Sequence, residues 1–120
     1  MLHTNLQHIL SDEDFQEVLQ NNDEVMICCG RMGPMCLPVY DVMEKLEESY
    51  SHVAFRDLWF DGPASHNIRS LPETRNFMGL PFVVYFKGGK VVAATSGIQN
   101  KAQVKEILDR EFGTPESKVA

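Results

Sequence analysis

The stretch GLPFVVYFKGGKVVAATSGIQNKAQVKEILD, Gly79 to Asp109, changes its periodicity twice. LPFVVYF is a run of apolar, β-branched and aromatic residues, the composition of a buried strand. KGGK follows. Gly88 and Gly89 can take the positive φ values that a two-residue hairpin turn demands, so KVVAATS reads as the antiparallel partner strand. Beyond Gly97 the period becomes helical. Asn100 is placed to cap, Val104, Ile107 and Leu108 share a face, and Gly113 stops the helix.

Reading outward toward the N-terminus, the same two periods alternate. In LSDEDFQEVLQNND, Ser11 or Asp12 can cap a helix whose apolar face is Phe15, Val18 and Leu19, with acids in the first turn. EVMICC, Glu24 to Cys29, is a second buried strand. From Pro34 an apolar stripe of Val39, Val42, Met43, Leu46 and Tyr50 marks an amphipathic helix. Pro34 suits a first helical position, whereas Pro38, lacking an N–H, should bend the first turn. VAFRDLWF, Val53 to Phe60, is a further strand, with Arg56 and Asp57 expected on its exposed side, and Trp59 and Phe60 mainly in the core or, for Trp59, at a surface edge. A first strand is expected within TNLQHIL. The segment ASHNIRSLPETRNFMG should hold a short helix interrupted near Pro72, with His66, Arg69, Glu73 and Arg75 forming a solvated helix surface or, alternatively, a partner site. Strands alternating with helices imply parallel pairing, and the two-glycine hairpin adds one antiparallel pair. Together they predict a mixed sheet covered on both faces.

The 120 residues, 43% hydrophobic and 23% charged, fit one domain with one core. No apolar run is long enough to span a bilayer, and the N-terminus lacks the basic-then-apolar pattern of a secretion signal. A cytoplasmic monomer is the expectation. A net charge of −6 with no Lys/Arg cluster argues against nucleic acid as a partner. Cys28, Cys29 and Cys36 lie too close together for a secreted disulfide framework, and the four histidines have no metal-ligand spacing to them. No metal and no cofactor are expected. Thiol redox chemistry or simple burial remains for the cysteines.

In this order of elements the chain resembles the thioredoxins. In that family a Gly-Ile-Pro-Thr stretch leads into a strand, a Lys-x-Gly hairpin, a second strand, a glycine and the last helix. Pro81 falls on the family's cis-proline and Gly97 on its late glycine. The front half, DFQEVLQNNDEVMICCGRMGPMCLPVYDVMEKLEESY, is similar to the family's helix, central strand, active-site turn and long helix without a gap. The resemblance covers nearly the whole chain. It implies a thioredoxin-like three-layer α/β domain over residues 1–113, with a central mixed sheet of four or five strands flanked by helices, and a polar tail at 114–120. About five extra residues around Pro72 depart from the pattern.

The larger departure is at the active-site turn. Where the family carries Trp-Cys-Gly-Pro-Cys-Lys, the gapless register reads Met32-Gly33-Pro34-Met35-Cys36-Leu37. Gly33 takes the place of the attacking cysteine, Cys36 that of the resolving one, and Ile27 that of the family's buried aspartate. Dithiol exchange needs one thiolate to attack and a second thiol to release the mixed disulfide, so the ordinary reaction lacks its first partner. Two arrangements would restore thiol chemistry. Cys36 could act alone at the start of the helix, with Cys36-Leu37-Pro38-Val39 in place of the tetrad. Alternatively, Cys36 could pair with Cys29 if their Cα atoms come within about 7 Å. By resemblance, Gly33, Pro34, Met35, Leu80 and Pro81 would contact client proteins bound as extended peptide, and a thioredoxin-type reductase would be a further partner. The expected function is thiol–disulfide homeostasis through Cys36. The alternative is a redox-inactive binding or chaperone-like module that keeps the Pro81 face. Met32, Met35 and Leu37 would form an adaptable partner surface, or Met35 or Leu37 would pack inward.

Overall fold

The computed structural model describes residues 1–118. Five strands, β1 (Gln7–Ile9), β2 (Glu24–Gly30), β3 (Ala54–Trp59), β4 (Phe82–Lys87) and β5 (Lys90–Ser96), form one sheet in the order β1-β3-β2-β4-β5. β1, β3 and β2 run parallel, and β4 and β5 join them antiparallel. The helices are α1 (Asp12–Asn21), α2 (Leu37–Glu47), α3 (His66–Arg69), α4 (Lys101–Phe112) and α5 (Pro115–Lys118), with a 3-10 turn at Pro72–Thr74. The expected mixed sheet with helices on both faces is therefore present.

β2 is central, and every one of its residues is buried. Because side chains alternate across a strand, β2 feeds two cores. Met26 and Cys28 join residues of α2 and α4, together with Phe55, Val83 and Tyr85. Val25, Ile27 and Cys29 join residues of α1 and α3, together with Leu58, Phe82 and Val84. Cys28 and Cys29 thus lie on opposite faces of the sheet.

Local chemistry explains the element ends. Ser11 accepts a hydrogen bond from the Asp14 N–H and caps α1. Asn100 and Gln103 form a reciprocal capping box at α4. Gly88 and Gly89 turn the β4–β5 hairpin at φ 59° and 79°. The start of α2 differs from expectation. Residues 34–36 form a separate turn, and α2 begins at Leu37. Pro38 then falls in the first helical turn, where a missing N–H leaves no intrahelical bond unmade. Within the segment read as a polar tail, Pro115–Lys118 form a short helix, and residues 119–120 lie outside those described.

Candidate functional site at the turn between β2 and α2

The turn is built on a close approach of four residues. A Cβ placed on Gly30 would lie 2.8 Å from Cys36 Sγ, 2.8 Å from Tyr40 Oη and 3.2 Å from Pro81 Cβ. The end of β2, the start of α2 and the entry to β4 therefore meet around a glycine that has no room for a side chain. The Arg31 N–H donates to Cys36 Sγ at 3.4 Å, and the Tyr40 hydroxyl donates to the Arg31 carbonyl at 3.1 Å. Tyr40 is buried, which the sequence pattern had missed because it lies beside the apolar stripe rather than on it.

Gly33 organises the other side. Its carbonyl accepts the Cys36 N–H at 3.1 Å and the Leu37 N–H at 3.0 Å. The first turn is therefore wound on Gly33. Three residues on, the Cys36 side chain points into the α2-side core, only 2% of the residue being exposed. Burial raises its thiol pKa, and the Arg31 N–H, the Arg31 charge and the Gly33 backbone offset that only in part. Met32, Met35 and Leu37 are exposed, so they do not pack inward.

Among the described residues all three cysteines are free. The pairing of Cys29 with Cys36 is not formed. Cys29 belongs to the core on the opposite face, and it is Cys28 that shares the face of Cys36. Burial pushes the Cys29 thiol up to about 12 and the Cys28 thiol well above its ordinary value. None of the three has the accessible setting of a reactive thiol. No group of side chains suited to hold a metal ion occurs among the described residues.

Asp57 corrects a further expectation. It is fully buried rather than exposed. It lies opposite Cys28 in the β2–β3 ladder, accepts from the Thr4 hydroxyl at 2.5 Å, and sits 2.6 Å from His8 Nδ1. Burial raises its carboxyl pKa, and the contacts with Thr4 and His8 oppose that rise. Its charge in turn raises the Cys28 and Tyr40 pKa values. A buried carboxylate thus stands under this end of the sheet, on the strand beside the one where the family pattern would put it. The alternation in VAFRDLWF carried the signal: Asp57 shares the parity of Phe55. Trp59, by contrast, is exposed at the surface.

At the β4 side, the Leu80–Pro81 bond is cis, and the Gly97 N–H donates to both the Gly79 and Pro81 carbonyls at 3.1 and 3.0 Å. Gly97, at φ 82°, closes this corner. Among the described residues no turn or loop hydrogen bond engages the Leu80 N–H or carbonyl. Leu80 is half-buried, and Met78 beside it is 96% exposed.

Solved structures share the overall fold. A thioredoxin of Plasmodium falciparum superposes with a TM-score of 0.73 at 18% identity, covering 88% of this chain and 99% of that one. Thioredoxin O2 of Arabidopsis thaliana gives 0.71 at 17% identity, covering 92% and 97%. Mitochondrial thioredoxin 3 of Saccharomyces cerevisiae gives 0.69 at 23% identity, covering 87% and 94%. The chain has the thioredoxin-like fold. No protein-family model matches the sequence, and no curated protein does so either. The likeness therefore lies in the thioredoxin-like architecture. Among the described residues no helix is long and apolar enough to cross a membrane.

Proposed function

We propose that this protein is a thioredoxin-fold module that binds extended protein segments at the Leu80–Pro81 edge and does not turn over disulfides by the two-thiol route. The observation that carries this is the composition of the turn. Its one sulfhydryl is buried, while Met32, Met35, Leu37 and Leu80 around it are accessible. Besides the register that puts Cys36-Leu37-Pro38-Val39 on the tetrad, the sequence can be laid on the family motif in two ways. Counting through strand and helix puts Gly33 and Cys36 on the two cysteines. Matching Gly33-Pro34 to the family's Gly-Pro puts Met32 and Met35 there. The winding of the first turn on Gly33 favours the former. In neither of these two does a thiol occupy the attacking position; in the Cys36-Leu37-Pro38-Val39 register Cys36 does, but it is buried. An extended segment could instead hydrogen-bond to the Leu80 backbone as an added strand, with methionines adapting to its side chains.

A second reading keeps thiol chemistry. The Arg31 N–H and charge and the Gly33 backbone all favour a thiolate at Cys36, at the start of α2. In that reading Cys36 thiolate attacks a client disulfide, forms a mixed disulfide and expels the client's other thiolate. A small-molecule thiol must then release the client and be oxidised in its place.

Insulin reduction assayed with dithiothreitol or glutathione separates the two. The binding module predicts the same rate for wild type and Cys36→Ser as for reductant alone. A rate above background that disappears in Cys36→Ser would overturn it in favour of the monothiol.

A further inference from the structure

Beside the turn lies a cavity of about 370 Å³ bounded by Arg31, Phe60, Arg69, Arg75, Met78 and Leu80. Three of the chain's five arginines meet there, in a protein whose net charge is −6. Arg31 and Arg69 both lie over the Phe60 ring, their guanidinium carbons 5.1 and 4.1 Å from its centroid. The ring and the bidentate pair of Arg31 with Asp61, at 2.7 and 2.8 Å, hold two of the three cations in place. Asp61 offsets one of the charges. Glu73 stands on the neighbouring 3-10 turn but does not line the cavity. Arg75 is exposed and makes no ion pair among the described residues. The walls therefore carry excess positive charge next to the apolar surface of Met78 and Leu80.

We propose that this cavity receives an acidic side chain, glutamate or aspartate, from an extended protein segment lying along Leu80. The proposal rests on the Leu80 edge reading above and adds the chemistry of the partner. The guanidinium fork matches a carboxylate. The cavity shares Leu80 with the edge, so one extended segment reaches both. Side chains alternate along a strand, and the cavity sets charged and apolar walls side by side, which suits alternating acidic and apolar residues. The segment around Pro72 supplies Arg69, Arg75 and Met78. It thereby gives the edge a charge preference.

The test uses two fluorescein-labelled peptides, one of alternating valine and glutamate and its twin with glutamine at every glutamate, read by fluorescence anisotropy. The glutamate peptide should bind more tightly and weaken with added salt, the twin much less so. Arg75→Gln and Arg69→Gln should each weaken the glutamate peptide about tenfold and leave the twin unchanged. Equal binding of both peptides, unmoved by either variant, would overturn the acidic-segment proposal while the Leu80 edge stands. If neither peptide binds, the edge reading falls and the proposal with it. If sodium glutarate displaces the glutamate peptide at the peptide's own working concentration, the site serves a free carboxylate and the proposal is also overturned.

Discussion

Replacing Gly30 with alanine tests the geometry of the turn most directly. The new Cβ would stand 2.8 Å from both Cys36 Sγ and Tyr40 Oη, well inside contact distance, and 3.2 Å from Pro81 Cβ. Gly30 needs no left-handed backbone, so any cost is steric. Cys36 is packed among α2-side core residues, and Tyr40 is tied to the Arg31 carbonyl, so neither retreats freely. Overpacking of this kind costs about 2 kcal/mol. In urea, with a slope of about 1.5 kcal/mol per molar, the midpoint should fall by about 1.3 M. Two further variants locate the clash. Cys36→Ala removes the sulfur, and Tyr40→Phe removes the hydroxyl together with one hydrogen bond worth about 1 kcal/mol. Combined with Gly30→Ala, each should recover about 1 kcal/mol relative to additivity in a double-mutant cycle. Displaced from its place, Cys36 should also alkylate faster in Gly30→Ala than in wild type. A Gly30→Ala protein within about 0.5 kcal/mol of wild type, or additive cycles with both partners, would refute the close approach on which the site is built.

Other outcomes follow from the same coordinates. Iodoacetamide should modify native Cys36 slowly, with a rate that climbs through pH 9 without a plateau, because burial holds its pKa above the ordinary 9.0; a plateau near neutrality would contradict the burial. All three cysteines should react quickly once the chain is unfolded. Asn100→Ala should lose both halves of the capping box at α4 and cost about 1 kcal/mol in urea unfolding. Asp57→Asn should change the pH dependence of stability. The Asp57 carboxyl, facing Thr4, His8 and the more distant charge of Glu44, has its folded-state pKa raised above 3.8. Its contribution to stability is therefore present below the unfolded value and is lost as pH rises through the folded one. The variant lacks that loss, so its stability relative to wild type should be more favourable at pH 7 than at pH 3. The opposite trend in paired urea titrations would show that the contacts with Thr4 and His8 outweigh burial.

The fold was legible because its signals are local and repeated. LPFVVYF, Gly88-Gly89 and the Asn100 cap each state their element in a few residues, and the structure places them as read. The start of α2 was misjudged by three residues. Pro34 and Pro38 both suit a helix start, and only the hydrogen bonds onto Gly33 decide how the turn is wound. The site was less legible, since it depends on which face each side chain takes. Asp57 passed for a surface residue because aspartate is seldom buried without partners. Its contacts come from Thr4 and His8, some fifty positions away. Strand parity in EVMICC separates Cys28 from Cys29. Which of the two shares a face with Cys36 depends on where α2 packs, a fact of tertiary structure. The cavity beside Leu80 joins Arg31 to Arg69 and Arg75 across Phe60, and no local pattern records it.

Two properties of the turn have one structural origin. Cys36 Sγ, Tyr40 Oη and Pro81 converge on Gly30, and this packing takes the sulfur out of solvent. A thiol buried there gains core contacts while burial disfavours its thiolate, so the packing that stabilises the turn also raises the thiol pKa. The same convergence brings the entry to β4 against the end of β2. Arg31 continues from β2 to the cavity wall, and Leu80 precedes Pro81 on the other side. Substitutions that open the sulfur, such as Gly30→Ala, should therefore also disturb peptide binding at Leu80. Arg75→Gln, outside the packed cluster, should alter binding while leaving thiol reactivity unchanged. If Arg75→Gln accelerated Cys36 alkylation as Gly30→Ala does, the cavity and the thiol would not be separable, and the division of the site into a closed core and an open edge would be wrong.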